Sequence, residues 1–435
     1  MSFGGVAQAG ALPAPLKQTG FYDNTRPKRA KVDLGQQLFF DKILGGTKDV
    51  ACATCHSPLT GTSDGLSLGL GVGARGLSVY RSSLGFDTFE EAAVNRIVRN
   101  SRALFNLGWH GWTTLMTDGD ISVDPTQPSG FASPLGEDFP VGLDNLLAAQ
   151  NMLPAAQPRE MAGTFGDNEV TLAAKAGDMP LVWDLLAARV AGIDEYVRQF
   201  VAVFDDVDSA DDITFVHIAN AMAAYQIYYF TAFNSPFDQY LRGNKAGMNG
   251  KARNGMNLFY GKAGCDTCHS GPMLTDQEFY AISIPQIGPG RAAGTGGEDK
   301  GRERISRDWR DKFKYATPSL RNVALTGPYG HDGAYGTLEA VIRHHLDPLT
   351  ALEEYDTSQA LLPDSSRWGA DDFVEHENLS QRAERAARNQ LQPIELTDKE
   401  VNELVAFMHA LTDPKSIDLR HTVPMSVPSG LPVWD

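Results

Sequence analysis

Cys52-Ala53-Thr54-Cys55-His56 and Cys265-Asp266-Thr267-Cys268-His269 are the stretches that decide how this chain is built, and between them they hold all four of its cysteines. In a C-x-x-C-H string the two thiols are spaced to add to the two vinyl groups of one haem, and the next residue turns its imidazole onto the iron. Two other readings compete. A zinc site would need four ligands converging from distant parts of the chain, and it gives no reason for a histidine after each pair. Redox dithiols need no such histidine either. Two covalently bound haem c groups, ligated by His56 and His269, account for every one of these residues.

Outward from the two strings the sequence repeats itself. Gly35-x-x-x-Phe39 precedes the first and Gly255-x-x-x-Phe259 the second, each inside an apolar run of helical period. Small cytochromes c resemble this arrangement, with a helix whose glycine and aromatic residue pack closely on a C-terminal helix beside the haem. The candidate closing helix is 397–411. It opens on a capping box, Thr397 and Glu400, and places Val401, Leu404, Val405 and Met408 on one face.

The rest of the 435 residues reads as mainly α, with few and short strands. Residues 1–32 form a leader, partly disordered and rich in Ala, Gly and Pro at its start. Residues 33–235 form an N-terminal haem domain with a helical extension, 236–412 a C-terminal haem domain, and 413–435 a tail. Helical signal is expected at 87–108, 141–152, 179–205 and 213–233. The glycine-rich 61–76, the polar 118–140 and the stretch 288–301 read as loops.

Charge and hydropathy exclude some functions. Acidic residues outnumber basic ones by 54 to 38, and a net charge of −16 repels a phosphate backbone, so nucleic acid is not an expected partner. The basic run Arg26, Lys28, Arg29 and Lys31 reads as a solvated face. No stretch approaches the ~18 apolar residues of a membrane span. Covalent haem attachment takes place outside the bacterial cytoplasm, so the expected location is periplasmic, with a signal peptide cut off or replaced.

Several further strings resemble one family. Leu34 to His56, Arg99-Asn-Ser-Arg-Ala-Leu-Phe-Asn106, Asn234-Ser-Pro-Phe-Asp-Gln-Tyr240, Thr317-Pro-Ser-Leu-Arg-Asn322 and Gly327-Pro-Tyr-Gly-His-Asp-Gly333 look like the bacterial dihaem cytochrome c peroxidases and their MauG-like relatives. The resemblance implies two cytochrome c-like domains packed face to face. It implies that the N-terminal haem meets hydrogen peroxide while the C-terminal haem relays electrons. By motif match the family's catalytic glutamate and glutamine fall at Glu160 and Gln150. A calcium ion between the haems would use Asn100 and carbonyls around Ala316 and Pro318.

Three departures from the family pattern refine this. Val72 stands where activation-dependent members place a histidine on the first haem, which implies an open first site. His345 stands where the second haem's distal Met or Tyr belongs. It shares a helical face with Leu338, Val341 and Ile342, while His344 points elsewhere. A bis-histidine haem has a lower potential than a His/Met one. Thr117 replaces the usual inter-haem Trp, for which Trp109 or Trp112 could stand in. His331 reads as structural.

These readings describe a peroxide-using dihaem oxidoreductase leaning towards the MauG-like mechanism, in which a partner protein is oxidised. One alternative is a conventional cytochrome c peroxidase fed by a small cytochrome or cupredoxin. Another, of a different class, is a non-catalytic electron-transfer cytochrome.

Overall fold

Residues 11–82, 96–288, 297–363 and 372–434 are described by the computed structural model of the protein, and helices dominate them. The helices that position the site are α1 (Arg29–Phe40), α2 (Leu146–Ala155), α3 (Met179–Ala191), α4 (Asp194–Val203), α5 (Phe215–Tyr229), α6 (Gly250–Phe259), α7 (Leu338–Leu346) and α8 (Asp398–Ala410).

The sequence repeat becomes a repeated helix crossing. A Cβ on Gly35 of α1 would fall 1.8 Å from the Ala221 carbonyl oxygen of α5, and one on Gly255 of α6 would fall 1.9 Å from that of Glu403 in α8. Only glycine lets the backbones approach so closely. One helical turn on, Phe39 meets Tyr225 at 5.1 Å between ring centres, and Phe259 meets Phe407 at 5.3 Å. The aromatic residue four positions after each contact point completes both crossings, since side chains at i and i+4 share a helix face. Each such ring pair adds about 0.5–1.5 kcal/mol beyond its buried area. The expected closing helix is α8, with its capping box formed: the Thr397 amide donates to Glu400 Oε2 at 2.8 Å. Its counterpart for the first motif is α5, a pairing that no local signal in the sequence marks.

Hydrophobic residues gather around each crossing. A large cluster holds Leu34, Leu38, Met152, Leu186, Phe200 and Met222, and a smaller one holds Phe237, Met256, Phe259, Leu404 and Phe407. The strands are few and short: β1 (Thr114–Leu115), β2 (Ile121–Val123) and β3 (Phe131–Ala132) form an antiparallel meander, and β4 (Phe279–Tyr280) pairs antiparallel with β5 (Tyr315–Ala316). Between these sheets the Ala316 amide donates to the Thr117 carbonyl at 2.8 Å. Arg99 and Arg304 converge on the fully buried Asp118 across the same boundary.

The structure corrects several expectations. Within 87–108, residues 87–95 lie outside the described residues, and 96–108 contain no helix; their polar groups instead serve the haem motifs and the ion network. The run 179–205 is two helices, because the chain turns at Gly192 and Ile193. The polar loop 118–140 contains β2 and β3. Of the loop 288–301, residues 289–296 lie outside the described residues, and 297–301 are irregular apart from isolated bridges. Residues 1–10 of the leader are likewise outside them, but beyond these Leu16 and Phe21 are core residues. Arg29 and Lys31 of the basic run pair with Asp33 and Asp144.

Residues after 412 do not trail away. Leu419 and Val427 pack against Phe39 and Phe40. Gln36 donates to the Thr422 carbonyl at 2.8 Å, and Ser429 Oγ donates to Asp41 at 2.6 Å. This strap lies across the first haem unit.

Candidate functional site

Both motifs fold locally in the same way. Cys52–Cys55 is one turn of helix, held by the Ala51 amide on Thr54 Oγ1, and Cys265–Thr267 is a 3-10 turn. The amide of each following histidine closes the turn on the first cysteine's carbonyl, at 3.0 Å for His56 and 2.9 Å for His269. Burial pushes the Cys52, Cys55 and Cys265 thiols up to about 12. Burial of this degree disfavours the free thiolate that a reactive dithiol needs.

The histidines are held by one ring nitrogen each. His56 Nδ1 donates to the Thr62 carbonyl at 3.1 Å, and His269 Nδ1 to that of Leu274 at 3.2 Å. His345 Nδ1 donates to Val341, one turn back on α7, at 2.7 Å. A carbonyl on Nδ1 fixes the tautomer and leaves Nε2 as the metal-facing atom. Burial keeps all three rings neutral, as ligation requires, by lowering their pKa; His269, facing His345, falls to about 4.

His269 and His345 are brought together, with ring centres 6.4 Å apart. Metal–imidazole bonds of about 2 Å on both faces of a single iron would separate ring centres by roughly this distance. The residues present therefore fit a haem between them. His344, the neighbour on α7, is fully buried and uses both nitrogens: Nδ1 with the Tyr335 hydroxyl at 2.8 Å and Nε2 with the Ile282 carbonyl at 2.7 Å. It points away from His269, as expected, but into core rather than solvent.

Around the first motif, the segment carrying Val72 lies directly on the turn carrying Glu160. A Cβ at Gly71 would strike the Arg159 carbonyl at 1.8 Å and approach that of Glu160 at 3.1 Å. Arg81 pins this glycine-rich segment by donating to the carbonyls of Leu70, Gly71 and Gly76. Val72 is buried, and Glu160 is half-buried in a π-helical turn, Pro158–Ala162. Its carboxylate is near enough to Cys55 to help raise that thiol's pKa, behind burial itself and Asp64. Gln150 projects from α2 with its Oε1 buried and without a hydrogen-bond partner.

The other expected residues fall in less direct places. Asn100 Nδ2 reaches the carbonyls of Leu66 and Pro328, at 3.2 and 3.0 Å. Ala316 lies in the β4–β5 ladder. Trp112 donates Nε1 to the Asn106 carbonyl and meets Trp109 edge-on at 6.0 Å. His331 stacks on Tyr315 at 3.8 Å, and burial lowers its pKa to about 3, consistent with a structural role. Sequence reasoning missed Arg81. Its only signal was one arginine just beyond a glycine-rich run.

The relatives of this chain point the same way. The profile of the family described as di-haem cytochrome c peroxidase matches residues 29–246. The methylamine utilization protein MauG of Methylorubrum extorquens is 29% identical over 318 residues, covering 73% of this chain and 68% of that protein. The cytochrome-c peroxidase IdrP1 of Denitromonas iodatirespirans is 28% identical over 405 residues, covering 88% and 81%. In three dimensions the diheme peroxidase BthA of Burkholderia thailandensis shares the fold, with a TM-score of 0.60 at 19% identity over 99% of this chain and 96% of that one.

Proposed function

The chain belongs to the di-haem cytochrome c peroxidase family of oxidoreductases, and from that premise we propose that it reduces hydrogen peroxide at an open N-terminal haem held by Cys52, Cys55 and His56. Cys265, Cys268, His269 and His345 would hold a second haem, which would supply the redox chemistry for electron entry. The single observation that carries this reading is the opposition of His269 and His345 at 6.4 Å; at the first site the resemblance assigns the matching place to Val72, a buried apolar residue that cannot ligate iron. A haem at the second motif would be held by both histidines, and one at the first would keep a face for substrate.

When bound, the first haem supplies the redox-active iron. Glu160 takes a proton from the incoming peroxide and returns it to the departing oxygen, the shuttle that heterolytic O–O cleavage requires. Gln150 orients the substrate through its free amide oxygen. Arg81 keeps the loop carrying Val72 in place, and so keeps the substrate face clear. The Thr62 carbonyl holds the His56 imidazole in orientation through Nδ1.

Val72 and the low potential expected of a bis-histidine haem favour the MauG-like mechanism, in which a partner protein is oxidised at Trp or Tyr. Relatives named cytochrome-c peroxidase favour the second reading, in which a small cytochrome or cupredoxin delivers electrons singly. Peroxide turnover with reduced cytochrome c at many cycles per second would remove the MauG-like assignment. A third reading, a wire without catalysis, requires two six-coordinate haems. A periplasmic location follows from the chemistry of haem attachment. A calcium ion would use the Asn100 amide oxygen with carbonyls around Ala316 and Pro318.

The test is the optical and spin-resonance spectrum before and after one equivalent of peroxide. The resting ferric protein should show one high-spin and one low-spin haem, and the high-spin signal should vanish on oxidation. Two low-spin signals that ignore peroxide would overturn the proposal.

A further inference from the structure

We infer that α5 carries an exit route for oxidising equivalents, from the first haem attachment site to a pair of tyrosines at the surface. The inference rests on the reading that peroxide reacts at that site. Cys52 Sγ lies 3.9 Å from the Met222 thioether. Tyr225 follows one turn along α5, and its ring centre is 5.4 Å from that of Tyr229. Tyr229 in turn meets Tyr228 at 4.8 Å. The four residues are all oxidisable: Met222 and Tyr225 stand three positions apart on α5, Cys52 also packs against the cluster that holds Tyr225, and the three tyrosine rings are successive neighbours.

Burial grades along the route. Met222 and Tyr225 are buried, Tyr229 is half-buried, and Tyr228 is 38% exposed. The gradient matters because a phenol oxidised by one electron becomes strongly acidic. Among the described residues Tyr225 bonds to the Thr422 carbonyl and hydroxyl alone, at 3.3 and 3.4 Å, and neither takes a proton readily. A radical therefore does not settle there. At Tyr228 water can accept the proton, and the Arg29 guanidinium, 5.4 and 5.9 Å from the two surface rings, repels a proton released between them. The oxidising equivalent comes to rest on the exposed pair.

The balance is complete. One peroxide and two tyrosines give two waters and two tyrosyl radicals, each tyrosine losing one electron along α5 and one proton to solvent. An external phenol then restores each tyrosine by giving up a hydrogen atom and becoming a phenoxyl radical. The exposed pair is thus an oxidation site for aromatic one-electron reductants, separate from entry through the second haem.

The experiment treats the holoprotein with peroxide in the presence of the spin trap 2-methyl-2-nitrosopropane, then maps adducts by peptide mass spectrometry while following the haem spectrum. Adducts are expected on Tyr228 and Tyr229. Tyr225→Phe and, independently, Met222→Leu should lower their yield at least tenfold while the spectral response to peroxide continues. Unchanged adduct yield in both variants, or no adducts in a wild-type protein whose spectrum responds, overturns the route alone. A spectrum that does not respond overturns the peroxide reading and the route with it.

Discussion

Arg99 grips Asp299 at two points, Nε to Oδ2 at 2.5 Å and Nη2 to Oδ1 at 2.8 Å, and so ties the segment leading from the first haem motif to the loop before β5. Its remaining nitrogen reaches Asp118 at 2.8 Å. Both carboxylates are fully buried, so removing their shared cation is costly. Arg99→Ala should destabilise the holoprotein by about 3–5 kcal/mol, read as a lowered denaturation midpoint. Arg99→Lys should recover only part of this, since an ammonium cannot make the forked contact. A midpoint unchanged in Arg99→Ala would show that the network contributes nothing.

His345→Met should convert the low-spin bis-histidine spectrum to a His/Met one and raise the second haem's potential, as redox titration would register. His344→Phe should leave the spectrum alone. It strands the Tyr335 hydroxyl and the Ile282 carbonyl in the core, which costs about 1–3 kcal/mol for each group left unpaired. If instead His344→Phe altered the low-spin signal, the ligand assignment on α7 would be reversed.

Glu160→Gln should slow the reaction with peroxide by about 10²–10⁴-fold, the usual contribution of a positioned acid–base group, without changing the resting haem spectrum. Stopped-flow absorbance measures it directly. Full reactivity in this variant would remove Glu160 from the proton path.

Burial pushes the Asp332 carboxyl up to about 7 from an ordinary 3.8, against the opposing pull of the Ile287 amide and Arg385. The folded protein therefore binds a proton that the unfolded chain has released, and stability falls as pH rises from about 4 through 7. Asp332→Asn should flatten this slope and stabilise the protein at pH 8, by at most about 1.4 kcal/mol for each pH unit separating the folded carboxyl from the unfolded one. Asp64, also raised to about 7 by burial, contributes with the same sign and leaves a residual slope. Thermal melts across this range give the answer; a steeper slope in Asp332→Asn would contradict it.

Covalent chemistry and helix period account for what is legible in the residues. A Cys-x-x-Cys-His string marks haem attachment by its own spacing, and the Gly35 and Gly255 repeat carries its packing reason within four residues. The α8 cap is legible for the same reason, since Thr397 and Glu400 bond to each other locally. Longer-range relationships are not legible. The pairing of α1 with α5 depends on Ala221, a residue with no signature of its own. The segment 96–108 has a helical pattern but no helix, because its polar groups bond to distant parts of the chain, such as Asn106 to Ala232 and Ser101 to the Cys55 carbonyl. The carbonyls around Asn100 come from Leu66 and Pro328, far apart in the chain and brought together only by the fold.

The strap that runs back over α1 sets an order of assembly. Its residues leave the ribosome after both attachment motifs, yet they complete the wall beside Phe39 and Phe40. The wall beside Phe39 and Phe40 therefore stays open until the strap has been made. Clipping the strap should leave the second unit's colour intact and loosen the first.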